Sequence, residues 1–95
     1  MKTFKELDPL LHSQLRLAIV SLLISVKEAE FSFIKEKTET TSGNLSVQIS
    51  KLQEAGYIDV KKAFRDNYPL TTCKITHKGI KAFETYVDAI KGYLK

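Results

Sequence analysis

A switch of hydrophobic period at Gly56 constrains the fold more than any other feature of this sequence. In the run TSGNLSVQISKLQEAGYIDVKK, Leu45, Ile49 and Leu52 recur at helical steps of four and three. After Gly56 the β-prone residues Tyr57, Ile58, Val60 and Phe64 are interleaved with Asp59, Lys61 and Lys62, approaching the period of two that a half-buried strand requires. Glycine just past a helix supplies the left-handed backbone that ends it. A short helix therefore stops at Gly56 and a strand begins at once.

The flanking segments extend this pattern. Asp8 and Pro9 form a helix start signal, an N-cap carboxylate with a first-turn proline, and a first helix that pauses or restarts near Ser13 is expected to end at Ser25 or Val26. Its apolar residues fill more than one stripe, so burial on two sides is expected, the second by another subunit. Phe31–Phe33 reads as a very short strand or an extended entry to a second helix capped by Ser32 and running to Thr38. Thr41 caps the third helix. Leu70–Ile75 (LTTCKI) makes a second strand, with the polar turn Arg65-Asp66-Asn67-Tyr68-Pro69 before it, and Thr76 caps a last helix.

The resulting order is helix, brief strand, helix, helix, hairpin, helix in 95 residues. The expected fold is α+β and mainly helical, a winged helix-turn-helix with a two-stranded β-hairpin wing. The expected divisions are a flexible lead over 1–6, a recognition helix over 41–55, the wing hairpin over 57–76 and a C-terminal helix over 77–94, all in one domain 1–95.

Charge points to a polyanion. Between Thr40 and Lys81 there are seven basic residues against three acids, whereas the rest of the chain carries eight of each, so the whole net charge of +4 lies in one stretch. On a helical wheel Leu45, Ile49 and Leu52 fall within about 60° while Asn44, Val47, Gln48 and Lys51 fill a separate arc of about 100°. That arc suits a DNA major groove. Asn44 and Gln48 carry the donor and acceptor that grip adenine, Lys51 reaches guanine or a phosphate, and Val47 meets a thymine methyl. Thr41, Ser42 and the helix-start N–H groups hold a phosphate, and Gly43 leaves room for the phosphate backbone. Lys61, Lys62, Arg65 and Lys74, with Tyr68 near the hairpin tip, straddle phosphates or enter a minor groove. A solvated basic face and a lysine-protected strand edge remain the plainer alternatives.

Other chemistries find little support. His12 and His77 lie near helix starts without zinc-ligand spacing, and no nucleophile–base arrangement or phosphate loop is visible, so neither metal, cofactor nor enzymatic activity is expected. The single Cys73 excludes an internal disulfide and fits a cytoplasmic setting. The apolar run Leu17–Ile24 is too short to cross a bilayer.

From about Phe4 to Leu94 the chain resembles small stand-alone winged-helix regulators of the MarR and ArsR type. The segments carrying the likeness are LDPLLHSQLRLAIVSLL, FSFIKEKTETTSGNLSVQISKLQEAGYIDVKKAF and TTCKITHKGIKAFETYVDAI, and the run ITHKG after the wing is a frequent companion in the group. The resemblance implies a homodimeric transcriptional regulator on an imperfectly palindromic double-stranded operator. Ser42, Gly43, Asn44, Ser46, Val47, Gln48 and Lys51 then contact DNA from the recognition helix, and Arg65 and Lys74 from the wing. It implies a dimer interface of first and last helices, here Leu11, Leu15, Ile19, Leu22, Phe83, Tyr86, Val87, Ile90, Tyr93 and Leu94. The extra helices of larger MarR proteins are missing, so a small-molecule effector, where one acts, sits at the dimer interface. The alternative is a winged-helix module that binds a protein partner without sequence-specific DNA binding.

Overall fold

Asp8 Oδ1 accepts hydrogen bonds from the backbone of Leu10 at 2.8 Å and Leu11 at 3.4 Å, fixing a turn at Pro9. The computed structural model, which describes residues 4–94, shows that this turn does not run on into the helix. Ser13 is extended, accepts the Arg16 N–H through its hydroxyl, and starts α1 (Gln14–Val26). Of the lead expected over residues 1–6, residues 1–3 lie outside the described residues. Phe4 packs on Tyr93 with ring centroids 5.1 Å apart, and the Lys5 carbonyl accepts from the Tyr93 hydroxyl at 2.7 Å.

The brief strand lies earlier than Phe31–Phe33. It is β1 (Glu28–Glu30), and α2 (Phe31–Thr38) begins directly after it with Glu30, not Ser32, at the N-cap and no side-chain cap bond. Glu-Ala-Glu has little strand propensity of its own. It is extended because it pairs antiparallel with a distant strand, placing Glu28 opposite Lys74 and Ala29 opposite Cys73, and tertiary pairing overrides local preference.

The third helix, α3 (Ser42–Glu54), follows the sequence closely. The Thr41 hydroxyl accepts from Asn44 N at 3.1 Å. At the other end Gly56 N donates to the Gln53 carbonyl at 2.9 Å and Tyr57 N to that of Leu52 at 3.0 Å, the paired closure of a Schellman motif. Gly56 has φ +79, which an L side chain rarely adopts.

β2 (Ile58–Arg65) and β3 (Tyr68–Ile75) are joined by only Asp66 and Asn67, at φ 48 and 67. The turn is thus shorter than Arg65–Pro69, and β3 starts two residues before Leu70. Two successive positive φ values match the twist of a two-residue hairpin, and Asp and Asn tolerate them. Arg65 faces Tyr68 and Phe64 faces Pro69. The pair flanking such a turn exchanges hydrogen bonds and the next pair does not, so Pro69 withholds no bond from β2. On its other side β1 reaches only Thr72–Lys74. The sheet has three antiparallel strands in the order β1-β3-β2.

Thr76 caps α4 (His77–Lys91), accepting from Gly79 N at 3.0 Å. The helix ends before Tyr93 and Leu94, which follow in a turn at Gly92. Thr76 also ties α4 to the end of α3, with its hydroxyl 2.7 Å from the Gly56 carbonyl and 2.9 Å from that of Tyr57. At Gly79 a Cβ would stand 2.2 Å from the Tyr57 carbonyl oxygen. This close approach explains the glycine of ITHKG.

One hydrophobic core joins these layers. Leu11, Ile19, Val20 and Leu23 meet Ile34 of α2, Leu45, Ile49 and Leu52 of α3, Ile58, Cys73 and Ile75 of the sheet, and Tyr86 of α4. The wing projects from this body, giving principal extents of 54 × 24 × 21 Å.

Candidate nucleic-acid interface

Burying one stripe of α3 turns the remainder outward. Leu45 and Leu52 are fully buried and Ile49 nearly so, while Thr41, Ser42, Gly43, Asn44, Ser46, Val47 and Lys51 are exposed and Gln48 is half-buried. Val47 is 51% exposed, a branched apolar side chain at the centre of a polar face. A Cβ built on Gly43 would meet nothing within 4 Å, so packing does not require glycine there.

Towards the wing, α3 borders a cleft of about 160 Å³ lined by Ser46, Ser50, Gln53, Lys62 and Thr71 among others. Ser50 and Gln53 were not singled out from the sequence. Their steps of four and seven from Ser46 put all three on one helical face, which is the signal that would have found them.

On the far side a hydrogen-bonded chain links α3 to α1. Arg16 Nε donates to the Leu10 carbonyl at 2.6 Å and Nη1 to Gln48 Oε1 at 2.5 Å. Gln48 Nε2 donates to Asn44 Oδ1 at 3.1 Å, and Asn44 Nδ2 to Thr40 Oγ1 at 3.2 Å. Arg16 was also missed. It is the only Asp, Glu, Lys or Arg between Asp8 and Lys27, and a lone guanidinium in an apolar helix needs acceptors.

Strand alternation divides the basic residues of the wing between two faces. Lys62 and Phe64 share the face of Ile58 and Val60 that turns to α3, whereas Lys61, Arg65 and Lys74 occupy the other. Lys74 lies at the base of the hairpin between Asp59 and Glu28. Arg65 forms a 3.5 Å ion pair with Glu30 across the outer face, a surface contact worth little energetically. At the tip Phe64 is 78% and Tyr68 75% exposed.

The residues expected at a dimer interface also divide. Leu11 and Ile19 are fully buried in the protomer's own core, leaving no surface to offer, and Tyr86 is nearly so. Leu15, Leu22, Phe83, Val87 and Ile90 are half-buried and Tyr93 and Leu94 exposed. Between α1 and α4 an apolar groove of about 490 Å³ is lined by Leu17, Ala18, Phe83, Tyr86, Val87 and Ile90 with Gln14 and Ser21.

Titratable groups elsewhere serve structure. Burial, the hydrogen bond to Asp8 Oδ2 and that carboxylate's charge push the Tyr57 phenol up to about 12. Burial pushes the Cys73 thiol up to about 11. His12 Nδ1 lies 3.0 Å from the Tyr86 hydroxyl. Among the described residues no group of three or more His, Cys, Asp or Glu gathers where a metal could sit, and no helix is long and apolar enough to cross a membrane.

Known proteins resemble this chain in sequence or in fold. An uncharacterized protein of Methanocaldococcus jannaschii is 38% identical over 79 residues, covering 83% of this chain and 86% of its own. The structure of a transcriptional regulator homologue from Pyrococcus horikoshii OT3 matches with a TM-score of 0.90 at 28% identity, over 99% of this chain and 95% of that one. The PcaV transcriptional regulator from Streptomyces coelicolor, solved with its natural ligand, matches at TM-score 0.73 and 14% identity, over 83% of this chain and 55% of that one. That last likeness is one of fold alone. Residues 15–94 match the winged helix DNA-binding domain, and with these relatives the match shows that the chain belongs to that family.

Proposed function

We propose that this protein is a homodimeric transcriptional regulator that binds a specific double-stranded DNA sequence, with α3 in the major groove and the wing on the backbone or in the adjacent minor groove. The supporting observation is the division of α3: one stripe fully committed to the core, and an outward arc of Ser46, Val47, Lys51, Asn44 and Gln48 running from the wing cleft to α1. Thr41, Ser42 and Gly43 at the helix start suit a phosphate. Lys62 faces the same cleft as Ser46, while Lys61, Arg65 and Lys74 supply charge on the outer side of the wing.

The open α1–α4 groove and the exposed Tyr93 and Leu94 support a second copy packing there through Leu17, Ala18, Phe83, Val87 and Ile90, whereas the half-buried Leu15 and Leu22 lie outside the groove lining. Two symmetric recognition helices then address half-sites about 34 Å apart, making the site an imperfect palindrome. A small apolar effector would lodge in the same groove. The role is carried out in the cytoplasm.

The test is selection of bound duplexes from a random pool, with the oligomeric state read by sedimentation. Recovery of a palindrome by a dimer, with affinity falling steeply as salt rises, supports the proposal. A monomer with no enriched sequence and a tightly bound protein partner would overturn it.

A further inference from the structure

The bonds around Gln48 determine which atoms of the recognition face are free to read a base. A guanidinium only donates hydrogen bonds, so the Gln48 atom 2.5 Å from Arg16 Nη1 is its oxygen. The amide nitrogen must then point along the helix to Asn44, at 3.1 Å, and the Asn44 atom receiving it is again an oxygen. This leaves Asn44 Nδ2 to donate to Thr40 Oγ1 at 3.2 Å. The orientation of both amides follows from Arg16 alone, and Arg16 is itself held by its Nε–H on the Leu10 carbonyl at 2.6 Å.

Each amide thus has its oxygen drawn towards a protein donor, using one of its two lone pairs, and one N–H still free. A bidentate grip on adenine needs an oxygen and an N–H of one amide on the same base edge. The amide oxygen of Gln48 is turned instead to α1.

We infer that Arg16 is a positioning residue that makes Asn44 and Gln48 present N–H donors to the DNA, so that they favour guanine, whose N7 and O6 both accept, over thymine and adenine, which offer one acceptor each, adenine N6 being a donor. This rests on the DNA-binding reading above and replaces the adenine preference that the residue types alone suggest. Recognition also becomes answerable to α1, because any movement of the Leu10–Arg16 turn frees the Gln48 oxygen.

The experiment is duplex selection with the full chain and the variants Arg16→Ala, Arg16→Lys, Gln48→Ala and Gln48→Glu, each first checked for a cooperative melt. The base pair read by Gln48 is the one whose preference disappears in Gln48→Ala. Wild type is expected to prefer guanine there, and Arg16→Ala to swing the ratio towards adenine by about tenfold or more. Arg16→Lys should swing it equally, since an ammonium lacks the fork that spans Leu10 and Gln48, while keeping the charge and hence the salt dependence. Gln48→Glu keeps the partner of Arg16 but has no N–H to present, and should turn the preference to cytosine, whose N4 donates. That variant decides the matter if Arg16→Ala does not fold. Adenine selected by the wild type, or guanine retained by both folded Arg16 variants, overturns the inference and leaves DNA binding standing. Absence of any enriched sequence for the wild type overturns both.

Discussion

Replacing Gly79 with alanine sets two effects of opposite sign against each other. In an exposed helix interior the change stabilises by about 1 kcal/mol through helix propensity. Here the new methyl would lie 2.2 Å from the Tyr57 carbonyl oxygen, 2.9 Å from Ile75 Cδ1 and 3.0 Å from the Tyr57 carbonyl carbon. Two of those neighbours are backbone and cannot swing aside. Raising the shortest contact from 2.2 to 3.0 Å means moving the first turn of α4 away from Tyr57, between α3 and β2, by roughly 0.8 Å. Overpacking of this kind costs about 1–3 kcal/mol. The same displacement stretches the one hydroxyl hydrogen bond that Thr76 shares between the Gly56 and Tyr57 carbonyls, worth about 1 kcal/mol. The net expectation for Gly79→Ala is a loss of about 1–3 kcal/mol once the propensity gain is subtracted. For a domain of this size that lowers Tm by roughly 5–20 °C, and a matched fall in the urea midpoint at unchanged slope should accompany it. A variant as stable as wild type, or more so, would show that the carbonyl approach does not hold α4 in place.

Gly43→Ala provides the counterpart, since nothing lies within 4 Å of the added carbon: stability in a thermal melt should rise by up to about 1 kcal/mol, while affinity for the selected duplex falls because the methyl meets a phosphate. Lys62→Ala should leave stability within about 0.5 kcal/mol and reduce the slope of log affinity against log salt by about 0.9; an unchanged slope would place Lys62 away from the backbone. Tyr57→Phe removes the bond to Asp8, and its effect should depend on pH. The phenol is raised from 10.0 to about 12, so its contribution is fully present below pH 10 and is lost between 10 and 12. The stability difference between wild type and Tyr57→Phe should therefore be flat to about pH 10 and shrink above it; a difference that grows with alkalinity would reverse the sign.

Features governed by neighbours three or four residues away were legible in the sequence. The caps at Thr41 and Thr76, the Gly56 stop and the buried stripe of α3 all follow from bonds or contacts within one helical turn. Features that depend on distant partners were not. Glu28–Glu30 is extended only because Lys74 and Cys73 lie opposite, and Phe31 starts α2 because the strand ends there. The Asp66-Asn67 turn was hidden in a longer polar run, as either two residues or five could have closed it. The same limit applies to the interface. The outward arc of α3 could be drawn on a wheel, but Arg16 lies 32 residues from the Gln48 it orients. A helix with apolar residues on two stripes also does not say which stripe serves its own core, and Leu11 and Ile19, assigned to a partner, lie within the protomer.

Cys73 has a practical consequence. It lies fully buried on the central strand, paired with Ala29 on one side and Val60 on the other, and burial pushes its thiol pKa up to about 11. Alkylating reagents attack the thiolate, so labelling requires the sheet to open away from the helices. With no other thiol in the sequence, the rate of labelling is a clock for that opening. Any duplex or second copy that binds the closed form must slow the clock in proportion to its occupancy. The chain therefore carries its own reporter of ligand binding, readable by mass alone and without an introduced probe.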